Sequence, residues 1–312
     1  MTRFARWTPG GWIVIIGLLV IPMTVRAQHV QGVEKTGRIA RLEAALGALK
    51  YPMAVRIGPG KDRYVLDSGN GRLLVIGNNG KVKHNWPIDM PGKSQFEAGA
   101  DIAVDKSGNV YVADAVNSRI VKYSGVGKRL LVIGKPGEIN GPLGLAVTDD
   151  GSLIVADTNG HSVVVYDATG KLVRRFGSEG TGPGNLRYPH GIALDAKGNI
   201  YVADFLNDRV SVFDPKGTPV RTFGGSGKDP GKFRNPYGLA IDHKGRVWVS
   251  DSENARIQVF SAEGTEPQVL ASPGPGAEAF DHPKSVAVAP DGEVIVCNTG
   301  KHAADLFRYK NP

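Results

Sequence analysis

The stretch Ile200-Tyr-Val-Ala-Asp204 decides the fold, because versions of it recur along the chain. The other copies are Tyr64-Val-Leu-Asp67, Val110-Tyr-Val-Ala-Asp114, Ile154-Val-Ala-Asp157, Val247-Trp-Val-Ser-Asp251 and Val294-Ile-Val-Cys297. The last residues of successive copies are 47, 43, 47, 47 and 46 positions apart. Six β-rich copies at a period of about 40–50 residues are typical of propeller blades. The sequence therefore predicts an all-β, six-bladed β-propeller.

The fourth copy shows the unit most completely. Tyr188-Pro-His-Gly-Ile-Ala-Leu-Asp195 reads as a first strand, and the turn at Lys197-Gly-Asn199 leads into the second. Residues 209–214 and 220–223 supply two further strands, so each blade is predicted to be a four-stranded antiparallel sheet. The six blades are expected near residues 51–87, 97–134, 141–177, 188–224, 235–271 and 282–310.

The sixth copy ends at Phe307-Arg-Tyr309 without a fourth strand of its own. The N-terminal stretch Gly37-Arg-Ile-Ala-Arg-Leu42 imitates Gly170-Lys-Leu-Val-Arg-Arg-Phe176, which is a fourth strand in copy three. We therefore expect residues 37–42 to close the ring, which leaves no open sheet edge in the last blade. The Ala and Leu content of residues 39–49 favours a helix as the alternative.

Residues 1–27 have the pattern of an export signal. Arg3 and Arg6 precede the apolar run Gly11–Val20, and a cleavage pattern of small residues ends at Ala27. The alternative is an uncleaved anchor, but the apolar run is shorter than the roughly 20 residues that span a bilayer. We expect a secreted or periplasmic protein, with residues 28–312 forming a single domain and no transmembrane anchor after cleavage.

Charge and cysteine content narrow the possible partners. The formal net charge of +8 falls to +5 without the three arginines of the leader, and the excess is scattered along the chain. A modest, dispersed charge is usually a solubilising surface, so nucleic acid is an unlikely partner by this measure. Cys297 is the only cysteine, which excludes an internal disulfide, and we expect it to be a buried, small apolar side chain.

The repeats resemble those of the NHL-repeat family over about residues 37–310. The matching phrases are Pro189–Asp195, Gly198–Asp204 and Asn207–Phe213. The resemblance implies six blades but says little about function. Members of the family act as protein-binding or RNA-binding propellers, as sensor domains of bacterial receptors and, in the peptidyl-hydroxyglycine amidating lyases, as zinc-dependent enzymes.

An acidic residue and a following arginine recur in the loops of four copies. Because one active site does not need four equivalent pairs, we expect these residues to cap turns and to pair within each blade. Copies three and six depart from the pattern, with Ser162 in place of the arginine and Asn298 after Cys297. The pairs are Asp67 with Arg72, Asp114 with Arg119, Asp204 with Arg209, and Asp251 with Arg256.

One position of the repeat varies strongly between copies. The second residue of each innermost strand, which follows a proline in five of the six copies and Gly99 in the second, should face the mouth of the central channel. These residues are Met53, Ala100, Leu143, His190, Tyr237 and Lys284. A scaffold does not require such variation. His190, Tyr237 and Lys284, together with Asp101, which directly follows Ala100, are therefore the candidate ligand-binding residues, and we expect them to converge on one small polar ligand.

The candidate set does not complete a metal site. A catalytic zinc needs about three protein ligands, and the channel ring offers His190 alone, while calcium would find only Asp101. His161, His243, His282 and His302 occupy other repeat positions. The chain has no Gly-x-Ser-x-Gly elbow and no phosphate loop with its helix. We predict no cofactor.

The long loops between blades, such as 177–187 and 224–234, and the loops after each recurring aspartate are expected on one face. Long loops on a rigid scaffold are where binding usually takes place. The sequence favours a non-catalytic, extracytoplasmic module that binds a protein, peptide or glycan there. The alternative is a metal-dependent lyase or hydrolase, similar to an amidating lyase or a lactonase, with zinc or calcium at the channel mouth and His190 as ligand or base.

Overall fold

The computed structural model describes residues 28–29, 33–38, 47–88, 101–271 and 280–309. The secondary structure of these residues is almost entirely β-strand, with short 3₁₀ turns at Pro59–Lys61, Ser68–Asn70, Phe205–Asn207, Ser252–Asn254 and Thr299–Lys301. The leader, residues 1–27, lies outside the described residues. Among the described residues, no helix is long and apolar enough to cross a membrane.

The strands form six sheets that follow one another along the chain, each an antiparallel blade. Blade one is β3 Pro52–Ile57, β4 Arg63–Asp67, β5 Arg72–Ile76 and β6 Val82–Pro87; blade two is β7 Ile102–Val104, β8 Val110–Asp114, β9 Arg119–Tyr123 and β10 Arg129–Ile133. Blade three is β11 Pro142–Val147, β12 Leu153–Asp157, β13 Ser162–Tyr166 and β14 Leu172–Phe176; blade four is β15 Pro189–Leu194, β16 Ile200–Asp204, β17 Arg209–Phe213 and β18 Pro219–Gly224. Blade five is β19 Pro236–Ile241, β20 Val247–Asp251, β21 Arg256–Phe260 and β22 Gln268–Ala271; blade six contains β23 Pro283–Val288, β24 Glu293–Asn298 and β25 Ala303–Tyr309.

The first strand of each blade lines the central channel. These six inner strands contact one another in chain order, and β23 contacts β3, so that the inner ring is complete. The second strand of blades one to five is buried along its whole length, because both of its faces pack against neighbouring blades. The prediction of a six-bladed propeller with four-stranded antiparallel blades is confirmed.

Two N-terminal strands extend the outer edges of the last two blades. β1 Gln28–His29 pairs parallel with β22 of blade five, and β2 Val33–Arg38 pairs antiparallel with β25 of blade six. Of the predicted closing strand, residues 37–42, Gly37 and Arg38 lie in β2, which begins at Val33. Residues 39–42 lie outside the described residues.

The core lies between the blades as a series of apolar layers. Between blades five and six, Trp248 packs with Phe280, Val294 and Phe307. Cys297 is completely buried in the layer between blades six and one, as predicted, and burial raises the pKa of its thiol. Each layer joins two neighbouring sheets, so the apolar contacts that stabilise the blades also fix the ring.

The connections divide the molecule into two faces. The hairpin face carries the short turns between first and second strands and between third and fourth strands, such as Asp105–Asn109. The loop face carries the connections between second and third strands and the longer connections between blades, because alternate strand ends meet there. The start of every inner strand, and hence the mouth that contains His190, opens toward the loop face.

Candidate functional site

The recurring aspartates are structural. The Asp251 carboxylate is fully buried, and it accepts hydrogen bonds from Arg256 Nε at 2.7 Å and from the Arg234 backbone N at 2.8 Å. Asn254 and Gln258 donate to the same carboxylate. Arg72, Arg119 and Arg209 pair in the same way with the aspartates of their own blades. The predicted role of these residues as scaffold is confirmed.

The arginines of the pairs also hold the inter-blade loops. Arg209 donates hydrogen bonds to the carbonyl oxygens of Thr181, Gly182 and Asn185. Arg256 donates to the carbonyl oxygens of Lys228, Asp229 and Lys232 in the next loop. Two of the long loops on the loop face are therefore fixed to the blades by charged side chains.

The two departures from the pattern have structural compensation. In blade three, Arg175 from the outer strand β14 pairs with Asp157 and contacts Ser162, so that the guanidinium comes from a different strand. In blade six, Asn298 Oδ1 accepts a hydrogen bond from the Asp281 backbone N, and Asn298 Nδ2 donates to Asp305. In both blades the buried side chain at this position, Asp157 or Asn298, therefore keeps a polar partner.

The histidines of the same two loops join neighbouring blades. His161 Nδ1 accepts a hydrogen bond from the Tyr188 backbone N at 3.1 Å, and His302 Nδ1 accepts one from the Tyr51 backbone N at the same distance. Each imidazole also contacts the tyrosine ring edge to face. These histidines link neighbouring blades through hydrogen bonds and ring contacts. They lie away from the channel mouth, as expected from their repeat positions.

The four candidate residues line one small cavity at the channel mouth. Asp101, His190, Tyr237 and Lys284 share it with Met53 and Leu143, and its volume is about 20 Å³. Ala100, the remaining residue of the predicted ring, lies outside the described residues. The positions predicted from the repeat do come together in space.

His190 is packed between two aromatic rings. Its imidazole stacks on Phe205 at 4.0 Å between centroids and meets the Tyr237 ring edge to face at 4.4 Å. The side chain is 8% exposed, and its Nδ1 has no hydrogen-bond partner among the described residues. Burial, with a smaller contribution from the Lys284 charge, lowers the pKa of His190 to about 3. The imidazole is therefore neutral at physiological pH.

This pKa predicts acid sensitivity. Between pH 6.5 and pH 3 the unfolded chain binds a proton at His190 and the folded chain does not, so this group's contribution to stability is lost as the pH falls. One proton corresponds to a slope of about 1.4 kcal/mol per pH unit within that window. We expect His190→Phe to reduce the slope of unfolding free energy against pH by roughly this amount, as measured by urea denaturation. His243→Phe, in an exposed turn, is the control, and an unchanged slope in His190→Phe would contradict the assignment.

Lys284 lies beside the histidine with its charge against an aromatic face. Its Nζ is 4.1 Å from the centroid of the Tyr237 ring. Burial lowers the pKa of Lys284 to about 8, and the more distant Glu253 opposes this shift. Burial also raises the pKa of the Tyr237 hydroxyl. The mouth thus combines a neutral imidazole with an ammonium group that loses its proton more readily than an ordinary lysine.

Sequence reasoning missed Arg56, Ser285 and Phe205 at this site. Arg56 Nη2 is 2.5 Å from Asp101 Oδ2, and its Nη1 donates to Ser285 Oγ at 3.1 Å. Burial raises the pKa of Asp101, although the Arg56 charge and backbone donors oppose the shift. The signal was present in the repeat: Arg56 stands where the other copies have Ala103, Ala146, Ala193, Ala240 and Ala287. Applying the variability criterion to every position of the inner strand would have found it.

Glycines explain why this network lies on one side of the ring. A Cβ on Gly144, Gly191 or Gly238 would come within 2.0–2.5 Å of a backbone carbonyl oxygen on the next inner strand. Inner strands β11, β15, β19 and β23 therefore approach one another closely. Asp101 and Ser285 occupy the equivalent position in blades two and six, where side chains fill the space beside β3.

The pairing of Arg56 with Asp101 can be tested by restoring the residues of the other repeats. Arg56→Ala leaves the Asp101 carboxylate without its cation, and we expect a loss of about 2 kcal/mol of unfolding free energy, less than for a fully buried pair because Asp101 is 15% exposed. Arg56→Ala/Asp101→Gly should lose less than the sum of the single changes. Chemical denaturation of the four proteins in the cycle gives the coupling, and additive losses would show that the pair contributes nothing.

The channel is wider toward the hairpin face. A second cavity of about 270 Å³ is lined by aliphatic side chains of the inner strands, including Val104, Val147 and Leu194. Arg56 lines both cavities. Arg56 therefore lies between the polar mouth, where Asp101 pairs with it, and the apolar part of the channel.

The residues at the mouth do not fit a catalytic zinc or calcium site. His190 supplies one imidazole, the Asp101 carboxylate is paired with Arg56, and the ammonium of Lys284 would repel a cation. Among the described residues, no group of three or more His, Cys, Asp and Glu side chains is placed to hold a metal ion.

Comparison with solved structures agrees with this class of protein, a six-bladed β-propeller. A streptogramin B lyase is 13% identical, with a TM-score of 0.62 and coverage of 88% of this chain and 97% of that one. A gluconolactonase from Xanthomonas campestris is 18% identical, with a TM-score of 0.62 and coverage of 91% and 97%. A protein of unknown function from Bacteroides thetaiotaomicron is 16% identical, with a TM-score of 0.66 and coverage of 84% and 70%. At these identities the likeness concerns the fold alone.

Family models identify the repeats themselves. Residues 100–123 and 233–260 match the NHL repeat, and residues 138–224 match the model DUF5128, a 6-bladed beta-propeller. A comparison with curated proteins finds no match. The protein is a six-bladed β-propeller that carries NHL repeats, as the sequence predicted.

Proposed function

We propose that the protein is a non-catalytic, extracytoplasmic binding module whose loop face binds a protein, peptide or glycan. The observation that carries this proposal is the size of the channel mouth. Its cavity of about 20 Å³ has room for little more than one water-sized group. A larger molecule that approaches from this side therefore contacts the loops around the mouth and does not enter the channel.

Two inter-blade loops of the loop face are held in place by hydrogen bonds, and this supports the proposal that the face is a binding surface. Arg209 and Arg256 each donate three hydrogen bonds to carbonyl oxygens of the neighbouring inter-blade loop. Loops that are already fixed lose less conformational entropy when a partner binds. This face also presents apolar side chains to solvent, with Val116 55% exposed, Leu206 39% and Tyr188 38%.

The extracytoplasmic location rests on the leader. Basic residues, an apolar run and a small-residue cleavage pattern at Ala27 together favour export of residues 28–312. N-terminal sequencing of protein recovered from the culture medium and the periplasm tests this part. Protein that stays in the cytoplasm with Met1 still present would contradict it.

Two exposed valines of blade two provide a matched test of the face. Val116 lies on the loop face, and Val126 lies in a turn on the hairpin face and is 69% exposed. Binders would be selected from a displayed peptide library and a glycan array with residues 28–312, and their affinities measured for Val116→Asp and Val126→Asp. We expect at least a tenfold loss for Val116→Asp and little change for Val126→Asp, because only the first places a charge among the contact residues.

Two outcomes would contradict the proposal. Binders that respond to Val126→Asp and ignore Val116→Asp would place the surface on the opposite face. Failure to obtain any saturable binder, together with turnover of a lactone or another small substrate, would favour catalysis.

The second candidate function is a lyase or hydrolase at the mouth, and the shifted pKa values of His190 and Lys284 favour it. A lysine with a pKa of about 8 is suited to moving protons near neutral pH, and the neutral imidazole of His190 can form hydrogen bonds with a substrate. Elemental mass spectrometry of purified protein and assays with lactone and lyase substrates test this candidate. His190→Ala should abolish activity with the fold intact, and activity that survives the change would remove His190 from the mechanism.

A further inference from the structure

Among the described residues, the mouth carries a positive charge that forms no ion pair with an acidic side chain. Arg56 is neutralised by Asp101 at 2.5 Å. Lys284 forms no ion pair within the described part of the chain, and its Nζ faces the Tyr237 ring. Glu253, whose charge acts on Lys284, lies 3.5 Å from His282 Nε2. The side chains that line the mouth therefore leave an excess of one positive charge.

An unpartnered polar group lies beside this charge. The imidazole of His190 is more than nine-tenths buried, lines the same cavity, and has an Nδ1 without a hydrogen-bond partner among the described residues. Buried polar atoms in folded proteins nearly always have a partner. The imidazole of His190 and the ammonium of Lys284 line the same cavity, so a ligand atom that enters it lies beside both groups.

The size and polarity of the cavity limit what can enter. A cavity of about 20 Å³ has room for the terminal atoms of a functional group but not for a whole ligand. Met53 and Leu143 form apolar parts of its wall. A dianion such as phosphate would bring a second charge that nothing in the lining neutralises. A carboxylate has one charge, and its two oxygens can accept hydrogen bonds from two different donors.

We propose that the channel mouth binds a single carboxylate group of a partner, with the Lys284 ammonium and the His190 imidazole as its hydrogen-bond donors. The remainder of the partner then lies on the loop face. This inference rests on the proposed binding function, because it places the partner on that face, but the carboxylate site can be tested without the partner.

The first experiment uses acetate as the probe. Acetate is titrated into protein labelled with ¹³C at lysine and histidine, and the Lys284 Cε and His190 ring resonances are followed by NMR. We expect saturable binding in the millimolar range and an increase of about one unit in the pKa of Lys284. Acetamide, which has a similar shape and no charge, should not bind.

Two variants of the site and one matched control show whether acetate binds at Lys284 and His190. Lys284→Met should weaken acetate binding at least tenfold, whereas Lys301→Met, an exposed lysine on the same face, should have no effect. His190→Phe provides a second test if Lys284→Met fails to fold. The absence of saturable acetate binding, or equal binding by wild-type protein and Lys284→Met, would overturn the proposal.

A second set of probes tests the proposed binding function independently of the carboxylate site. N-acetylglycylglycine with a free carboxylate tests a peptide terminus, its amide is the control, and glucuronate tests an acidic glycan. Binding at least tenfold tighter than acetate by either acid supports a partner seated on the loop face, and Val116→Asp should reduce that gain without changing acetate binding. If neither acid exceeds acetate, the placement of a partner on the loop face is overturned, although the carboxylate site itself stands.

Discussion

Asp251→Ala is expected to lower the free energy of unfolding by about 3–5 kcal/mol. The carboxylate is fully buried and accepts hydrogen bonds from Arg256, Asn254, Gln258 and the Arg234 backbone. Alanine leaves the Arg256 guanidinium, itself only 10% exposed, without its counter-ion. Arg256 also donates hydrogen bonds to the loop between blades four and five, and we expect these bonds to weaken when Asp251 no longer positions the guanidinium. Denaturation in guanidinium chloride measures the loss.

Two comparisons make this result specific. Asp149→Ala removes an aspartate whose side chain is 85% exposed and should change stability by less than about 1 kcal/mol. Asp251→Asn keeps the shape and one acceptor oxygen, as Asn298 does naturally in blade six, and should cost less than alanine. A loss in Asp251→Ala no larger than that in Asp149→Ala would show that the recurring aspartates are not structural.

Trp248→Ala is expected to cost a similar 3–5 kcal/mol for a different reason. The indole is fully buried between blades five and six, where it packs in the layer that contains Phe280 and Phe307. Its Nε1 also donates a hydrogen bond to Asp242 Oδ2 at 3.0 Å. Alanine leaves a cavity between blades five and six. The two sheets cannot close this cavity without changing their contacts with the other blades of the ring. The measurement is the shift in denaturation midpoint and in unfolding free energy.

The controls for this change separate volume from polarity. Trp248→Phe retains an aromatic ring and loses the hydrogen bond, so its cost should be clearly smaller than that of alanine. Leu130→Ala removes a large side chain that is 48% exposed on an outer strand, and it should have little effect. Equal losses for Trp248→Ala and Leu130→Ala would contradict the assignment of the core to the layers between blades.

The blade strands were predictable because their signal is local. The stretch Ile200–Asp204 forms β16 with the same bounds, and Val247–Asp251 forms β20. Short hydrophobic runs that are rich in β-branched residues and bounded by Gly-containing turns favour strands, and their repetition at a spacing of about 40–50 residues indicates a ring of blades. The position after each inner proline was informative for the same reason, and His190, Tyr237 and Lys284 meet at one cavity.

The N-terminal pairing was less predictable because it depends on distant residues. The sequence likeness between residues 37–42 and 170–176 suggested a strand that starts at Gly37, whereas the strand that pairs with Ala303–Tyr309 starts at Val33. Strand pairing over more than 260 positions is decided by which residues the completed ring brings to the edge of blade six. Such a register is not set by a turn or by a local repeat.

The sequence by itself determined the number of blades, the strands within them and the structural role of the recurring aspartates, because each of these depends on a repeated local pattern. Only the tertiary structure decided that Arg56 pairs with Asp101, that Arg175 replaces a missing arginine, and that His190 is held neutral between Phe205 and Tyr237. These features depend on contacts between strands of different blades or between different loops. The distances and burial that create them exist only once the ring has formed.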